Sequence, residues 1–170
     1  MPQHPNALTR LDKAIRRLEA QRACLDWAVA EIAPIPGVVF ELGLGNGRSF
    51  DHLRARLPER TIYVFERSPQ AHPACTPSAT RLLVGNLEET LPAARARFSG
   101  KVALLHSDIG TGDDERNFRF AQWLGPELLP LLAPGAIVAS DQRLAALDAF
   151  RIPLPAGVEE DRYYVYRLRR

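Results

Sequence analysis

Cysteine is scarce: Cys24 and Cys75 are the only two, far apart and without metal-ligand or redox spacing. Two thiols cannot build a disulfide-dense secreted scaffold, so a reducing, cytoplasmic setting is expected. Lysine is scarce as well, with Lys13 and Lys101 alone, and the remaining basic residues are arginines spread along the chain. With 22 basic against 20 acidic residues and a net charge of +2, no tract or stripe marks a nucleic-acid surface. No apolar run approaches the roughly 20 residues a membrane helix requires. The first residues, Met1-Pro2-Gln3-His4-Pro5-Asn6, lack the basic and then apolar stretch that directs secretion. These absences exclude a nucleic-acid or membrane partner as the expectation. Internal repeats and low-complexity segments are missing too.

What is there suits a single domain: 170 residues, 46% of them hydrophobic, are enough for one sizeable core and leave no room for a second. An N-terminal helix is expected over 6–33. Thr9 and Asp12 form a plausible cap, and Leu8, Leu11, Ile15, Leu18, Leu25, Val29 and Ile32 then recur at three- and four-residue steps, interrupted by Arg22. That stripe suits either a helix lying on a sheet or a seam with a second subunit. Pro34 and Pro36 end it. Strand-like runs then alternate with helix-like segments, the pattern of a parallel sheet covered on both faces. Strands are predicted over 37–42, 61–66, 80–84, 102–106 and 136–140, helices over 49–57, 87–98 and 115–132, and an edge strand over 163–168. The expected fold is α/β, a three-layer, doubly wound and mostly parallel sheet, with a core over 37–141 and a C-terminal edge over 142–170.

The first strand runs into Glu41-Leu42-Gly43-Leu44-Gly45-Asn46-Gly47, just before a helix starting near Arg48 or Ser49. Glycines at alternate positions let a ligand approach the backbone at a strand's carboxyl end. A dinucleotide fingerprint would need its third glycine where Arg48 stands, which disfavours a nicotinamide oxidoreductase. Glu41 can accept hydrogen bonds near the loop or balance a cationic ligand.

Glu41-x-Gly43-x-Gly45-x-Gly47 resembles the first motif of class I S-adenosylmethionine-dependent methyltransferases, and the resemblance covers roughly 37–141. It implies a Rossmann-like methyltransferase fold, with Leu44 and Asn46 also beside the cofactor. It implies that Glu66, ending the second strand and followed by Arg67, grips the ribose hydroxyls, for which a carboxylate is a suitable diol acceptor; a solvated loop acid is the alternative. It implies that Asn86 and Leu87, after the third strand, hold the adenine. Asn86 departs from the family's usual acid, and its other role is to cap the following helix.

In such folds ligands bind beyond the carboxyl ends of the strands, so His106, Ser107, Asp108 and Asp141 are expected near the reacting methyl group. His106, Asp108 and Asp141 are the candidate catalytic groups. His106 suits a neutral-pH base, or else a core or cofactor contact. Asp108, Asp141 and Gln142 resemble the metal ligands of catechol-type methyltransferases, and three oxygen donors would suit Mg²⁺ as a second cofactor. Gln142 replaces the asparagine usual there. The alternative is that Asp141 caps the following segment while Asp108 hydrogen-bonds loop amides. The acidic loop 109–115 caps the next helix, or forms a lid that offers Asp113 or Asn117 to the acceptor. Too few residues separate Asp141 from Tyr163 for a long acceptor-binding insertion, so the helix bearing Trp27, the loop after Asp108 or a second subunit must supply the cover. The expected activity is methyl transfer from S-adenosylmethionine to oxygen or nitrogen of a small molecule, by a chain that forms a homodimer. The alternative is a non-catalytic sensor of S-adenosylmethionine or S-adenosylhomocysteine.

Overall fold

A computed structural model describes residues 8–169. Six strands form one sheet in the order β3-β2-β1-β4-β5-β6. They are β1 (Val38–Leu42), β2 (Ile62–Glu66), β3 (Leu82–Val84), β4 (Val102–Ser107), β5 (Leu132–Ser140) and β6 (Tyr164–Arg167). The first five run parallel, and β6 closes one edge antiparallel to β5. β1 and β4 are buried along nearly their whole length, as strands covered on both faces must be.

Four helices cover the sheet: α1 (Arg10–Glu31), α2 (Arg48–Arg56), α3 (Leu87–Phe98) and α4 (Asp114–Leu128). The chain moves one way from β1 through α2 to β2, and the other way through α3 to β4 and through α4 to β5. Parallel crossovers are right-handed, so α2 lies on one face and α3 and α4 on the other. α1 packs with α2. The reversal of direction between β1 and β4 opens a crevice at their carboxyl ends, where doubly wound sheets bind ligands.

Thr9 and Asp12 form the expected capping box on α1, with reciprocal hydrogen bonds of 3.1 and 2.9 Å. The stripe divides. Ala20, Gln21, Cys24, Leu25 and Ala28 are buried, whereas Leu11 is 68% and Ile15 44% exposed. A helix of this length, rising about 1.5 Å per residue, overhangs the strand ends, and its first turns wall the crevice instead of covering the sheet. The helix expected over 115–132 stops at Leu128: Pro130 sits in a 3-10 turn, and β5 begins at Leu132, well before the expected 136. Gly135, at φ 78, bends that strand where its register against β4 shifts. Among the described residues no helix is long and apolar enough to cross a membrane.

Candidate active site

The glycine loop is clamped from two sides. Glu66 accepts backbone N–H groups from Leu44 at 2.8 Å and Gly45 at 3.3 Å on one oxygen, and from Ser68 at 2.8 Å on the other. Its carboxyl is only partly buried; burial works to raise its pKa, but these amides outweigh it and hold the value below the usual range. Gly47 caps α2 at φ 79, and a Cβ there would stand 2.4 Å from the Cys75 carbonyl oxygen, so this glycine serves a close backbone crossing. Asn46, turned so that its amide oxygen faces Arg48, accepts from both terminal guanidinium nitrogens at 3.1 and 3.3 Å.

Two cavities flank the loop. One, of about 650 Å³, runs over Phe65, Glu66, Arg67, Asn86 and Leu87 toward Phe120 and Trp123 of α4. The other, of about 660 Å³, lies under the overhanging turns of α1 and reaches Leu44, Asn46, Arg48 and Asp141. Gly43, Gly45, Asp108, Gly110 and Gln142 line both, so the two form one bent crevice. Asn86 stands at the N-cap of α3 but its side chain makes no capping bond, which leaves the amide toward the first cavity.

At the bend two carboxylates meet in different surroundings. Asp108 is held from α1, accepting from Gln21 at 2.6 Å and Arg17 at 3.2 Å. Asp141 accepts from the backbone of Gly110 at 2.8 Å and of Ile109 at 3.4 Å, and from the Gln142 amide at 3.1 Å. A Cβ on Gly110 would lie 2.3 Å from the Asp141 carboxylate, so a side chain there would have to displace Asp141. Burial raises the Asp141 pKa first, and the neighbouring Asp108 charge adds to it. The loop between them is fastened by Asn117, which accepts from Thr111 N–H at 2.8 Å and donates to its carbonyl at 2.7 Å, while Asp113 caps α4.

His106 and Ser107 lie beneath the crevice, fully buried, and line neither cavity. Adjacent register on β1 and β4 sets Glu41 beside His106, and their side chains bond at 2.7 Å through Nδ1. The other ring nitrogen meets the Tyr163 hydroxyl, and the remaining Glu41 oxygen accepts from Ser49 in the first turn of α2. Both His106 nitrogens are thus engaged inside the fold, which turns the expected base into a brace. Burial opposes its imidazolium, but the charge and hydrogen bond of Glu41 prevail and raise its pKa. Burial raises the Tyr163 pKa well above its ordinary value. Ser107 keeps a buried hydroxyl without a partner.

The expected metal ligands do not fit Mg²⁺. Asp108 faces a guanidinium and an amide N–H, Asp141 accepts from three N–H donors, and Gln142 turns its NH₂ group, not its oxygen, to Asp141. Among the described residues, no three His, Cys, Asp or Glu gather to hold a metal. Sequence reasoning missed Arg17, Gln21, Ser49 and Tyr163. The signal for Gln21 was a polar residue on the buried side of a helix; Tyr163 gave none, because its partner is 57 residues away.

The crevice can be set beside known proteins. A family model described as S-adenosyl-L-methionine methyltransferase matches residues 8–168. An S-adenosyl-L-methionine methyl transferase of Silicibacter pomeroyi DSS-3 is 43% identical, with 95% of this chain and 99% of that chain covered and a TM-score of 0.89. Human methyltransferase-like protein 13, solved with SAH, shares the fold at 16% identity and a TM-score of 0.54, covering 95% of this chain and 82% of its own. No curated protein matches. The match over 8–168, on a fold whose crevice carries the glycine loop and its acidic clamp, assigns this chain to the S-adenosyl-L-methionine methyltransferase family, and it is a methyltransferase that uses S-adenosylmethionine.

Proposed function

We propose that the chain methylates oxygen or nitrogen of a small-molecule acceptor held under α1. The observation that carries this reading is the bent crevice, one arm of which reaches Glu66 and Asn86 and the other of which runs under α1, with Asp108 and Asp141 at the bend between them. S-adenosylmethionine supplies an electrophilic methyl carbon and its own leaving group. The protein's part is to align the acceptor, which contributes about 7 to 11 kcal/mol in favourable cases, and to take its proton.

Glu66 offers the ribose hydroxyls the lone pairs that its loop amides leave unused, with Arg67 beside it, and Asn86 pairs with an adenine edge over Leu87. Gly43 and Gly45 give the cofactor a close backbone shelf between the two arms. Asp108, oriented by Arg17 and Gln21, meets the cationic centres of the cofactor. Asp141 receives the acceptor's proton: its raised pKa makes it a better base than an ordinary carboxylate. His106 holds Glu41 and Tyr163 and touches neither cofactor nor acceptor. Proton handling falls to Asp141 without a metal, so a methylation assay in EDTA keeps its full rate; loss of activity restored by Mg²⁺ contradicts this assignment.

The reading includes a cytoplasmic homodimer, supported by the solvent-facing Leu11 and Ile15 of α1. Calorimetric titration with S-adenosylhomocysteine tests the cofactor arm. Removing the Glu66 carboxylate loses charge-assisted hydrogen bonds of about 1.5 to 3 kcal/mol each. Glu66→Ala therefore weakens binding by about ten- to a hundredfold for each such bond lost. An unchanged affinity in a folded variant removes Glu66 from the cofactor arm.

A further inference from the structure

The arm of the crevice under α1 is rimmed by positive charge. Lys13, Arg17 and Gln21 follow at four-residue steps, so they share one face of α1 and line the cavity together. Arg48 faces them from the start of α2 and Arg162 from the C-terminal turn. Arg162 is not there by chance: Glu159 accepts from Arg162 at 3.4 Å and from Arg16 of α1 at 3.2 Å, which ties the turn across to the helix.

The cofactor does not answer this charge. S-adenosylmethionine brings a sulfonium, an ammonium and a single carboxylate, a net positive charge. Its cationic centres match Asp108 and Asp141 at the bend, and Asp108 already occupies Arg17. Its carboxylate matches Arg48, next to the glycine loop. Lys13 then has no acidic partner among the described residues, and Arg162 has only the solvent-exposed Glu159. Asp161, the other acid on this rim, is held off toward Arg151 at 3.9 Å.

We infer that the acceptor is a small organic anion, whose phosphate or carboxylate group is held by Lys13 and Arg162 while its nucleophilic atom reaches the bend. The inference rests on the cofactor reading above and adds to it the chemical class of the second substrate. Exposed charges act over about 10 Å at 0.1 M salt, so they draw such a ligand in and lose grip as salt rises.

The test is an NMR titration of protein saturated with S-adenosylhomocysteine, using phenyl phosphate, benzoate and the neutral benzamide as ligands. At least one anion is expected to bind tenfold or more tightly than benzamide, and the stronger of the two identifies the headgroup. Lys13→Glu and Arg162→Glu are each expected to weaken that anion at least fivefold while S-adenosylhomocysteine affinity stays within twofold. Anions that bind no better than benzamide, or that bind both variants as tightly as the parent, overturn the inference. Failure of the parent protein to bind S-adenosylhomocysteine at all is a separate outcome: it overturns the cofactor reading, and this inference with it.

Discussion

Asp108 and Asp141 have different neighbours, and the proposed division of their work rests on that difference. Asp108 is matched by Arg17 and Gln21, so its charge is fixed and directional, whereas Asp141 sits among neutral amides beside another negative charge. A carboxyl with a raised pKa stays protonated to a higher pH than an ordinary carboxylate and becomes a base only as pH rises through that pKa. The methyl-transfer rate is therefore expected to climb with pH over a limb lying above the ordinary carboxylate range, and Asp141→Asn to abolish the limb with a loss of about 10²- to 10⁴-fold. A limb that survives the substitution assigns the base elsewhere. His106 titrates in the opposite sense for stability. Because its folded pKa is raised, it adds stability that is fully present below the imidazole's ordinary value of about 6.5, and loses that stability as pH rises through the folded value. Replacing it by leucine leaves Glu41 buried without its charge partner, a loss expected at about 3 to 5 kcal/mol in urea unfolding. A loss below 1 kcal/mol at pH 6 contradicts the role of brace. None of this was legible from the strand-end residues alone. His106 lies inside β4 and is buried, whereas Asp108 lies just past the end of that strand and reaches the crevice, and only tertiary partners reveal which is free.

Among the elements, α1 carries the most function per residue. Its second half is an ordinary sheet-packing helix, and its first half is a wall of the crevice arm proposed for the acceptor, capped by Thr9. Losing the cap costs about 0.5 to 2 kcal/mol of helix stability. Because the capped turn overhangs, Thr9→Ala is expected to speed amide hydrogen exchange in the first turns of α1 while the sheet amides keep their protection; equal change in both contradicts an independently frayed wall. The helix and its cap were readable from the three- and four-residue spacing. The division of its face was not, because Leu11 and Ile15 obey the same periodicity as Leu25 while the sheet beneath them has ended. The helix over 87–98 and the strands around the glycine loop were also plain, since caps, glycines and branched apolar runs are local signals. The start of β5 lay before the strand expected from 136 because Pro134 and Gly135, residues that interrupt regular strands, sit inside it and make it irregular.

The whole molecule is a cofactor-binding sheet with little added to it. Beyond β5 the chain contributes a 3-10 turn and β6, and β6 delivers Tyr163 to His106 across the sheet's edge half. The arm under α1, proposed for the acceptor, is therefore built from α1 and the turn holding Arg162, both at the rim of the fold. A homodimer through Leu11 and Ile15 would shield that rim, and light scattering at micromolar concentration is expected to report twice the chain mass; a single-chain mass with full activity contradicts the pairing. The reading of the crevice itself is tested most directly by a crystal structure with S-adenosylhomocysteine. The ligand is expected to span the bend, with its ribose hydroxyls on Glu66, its adenine against Asn86 and Leu87, and its amino-acid end between Arg48 and Asp108. A ligand bound away from the glycine loop, or lying wholly within the arm under α1, would contradict it.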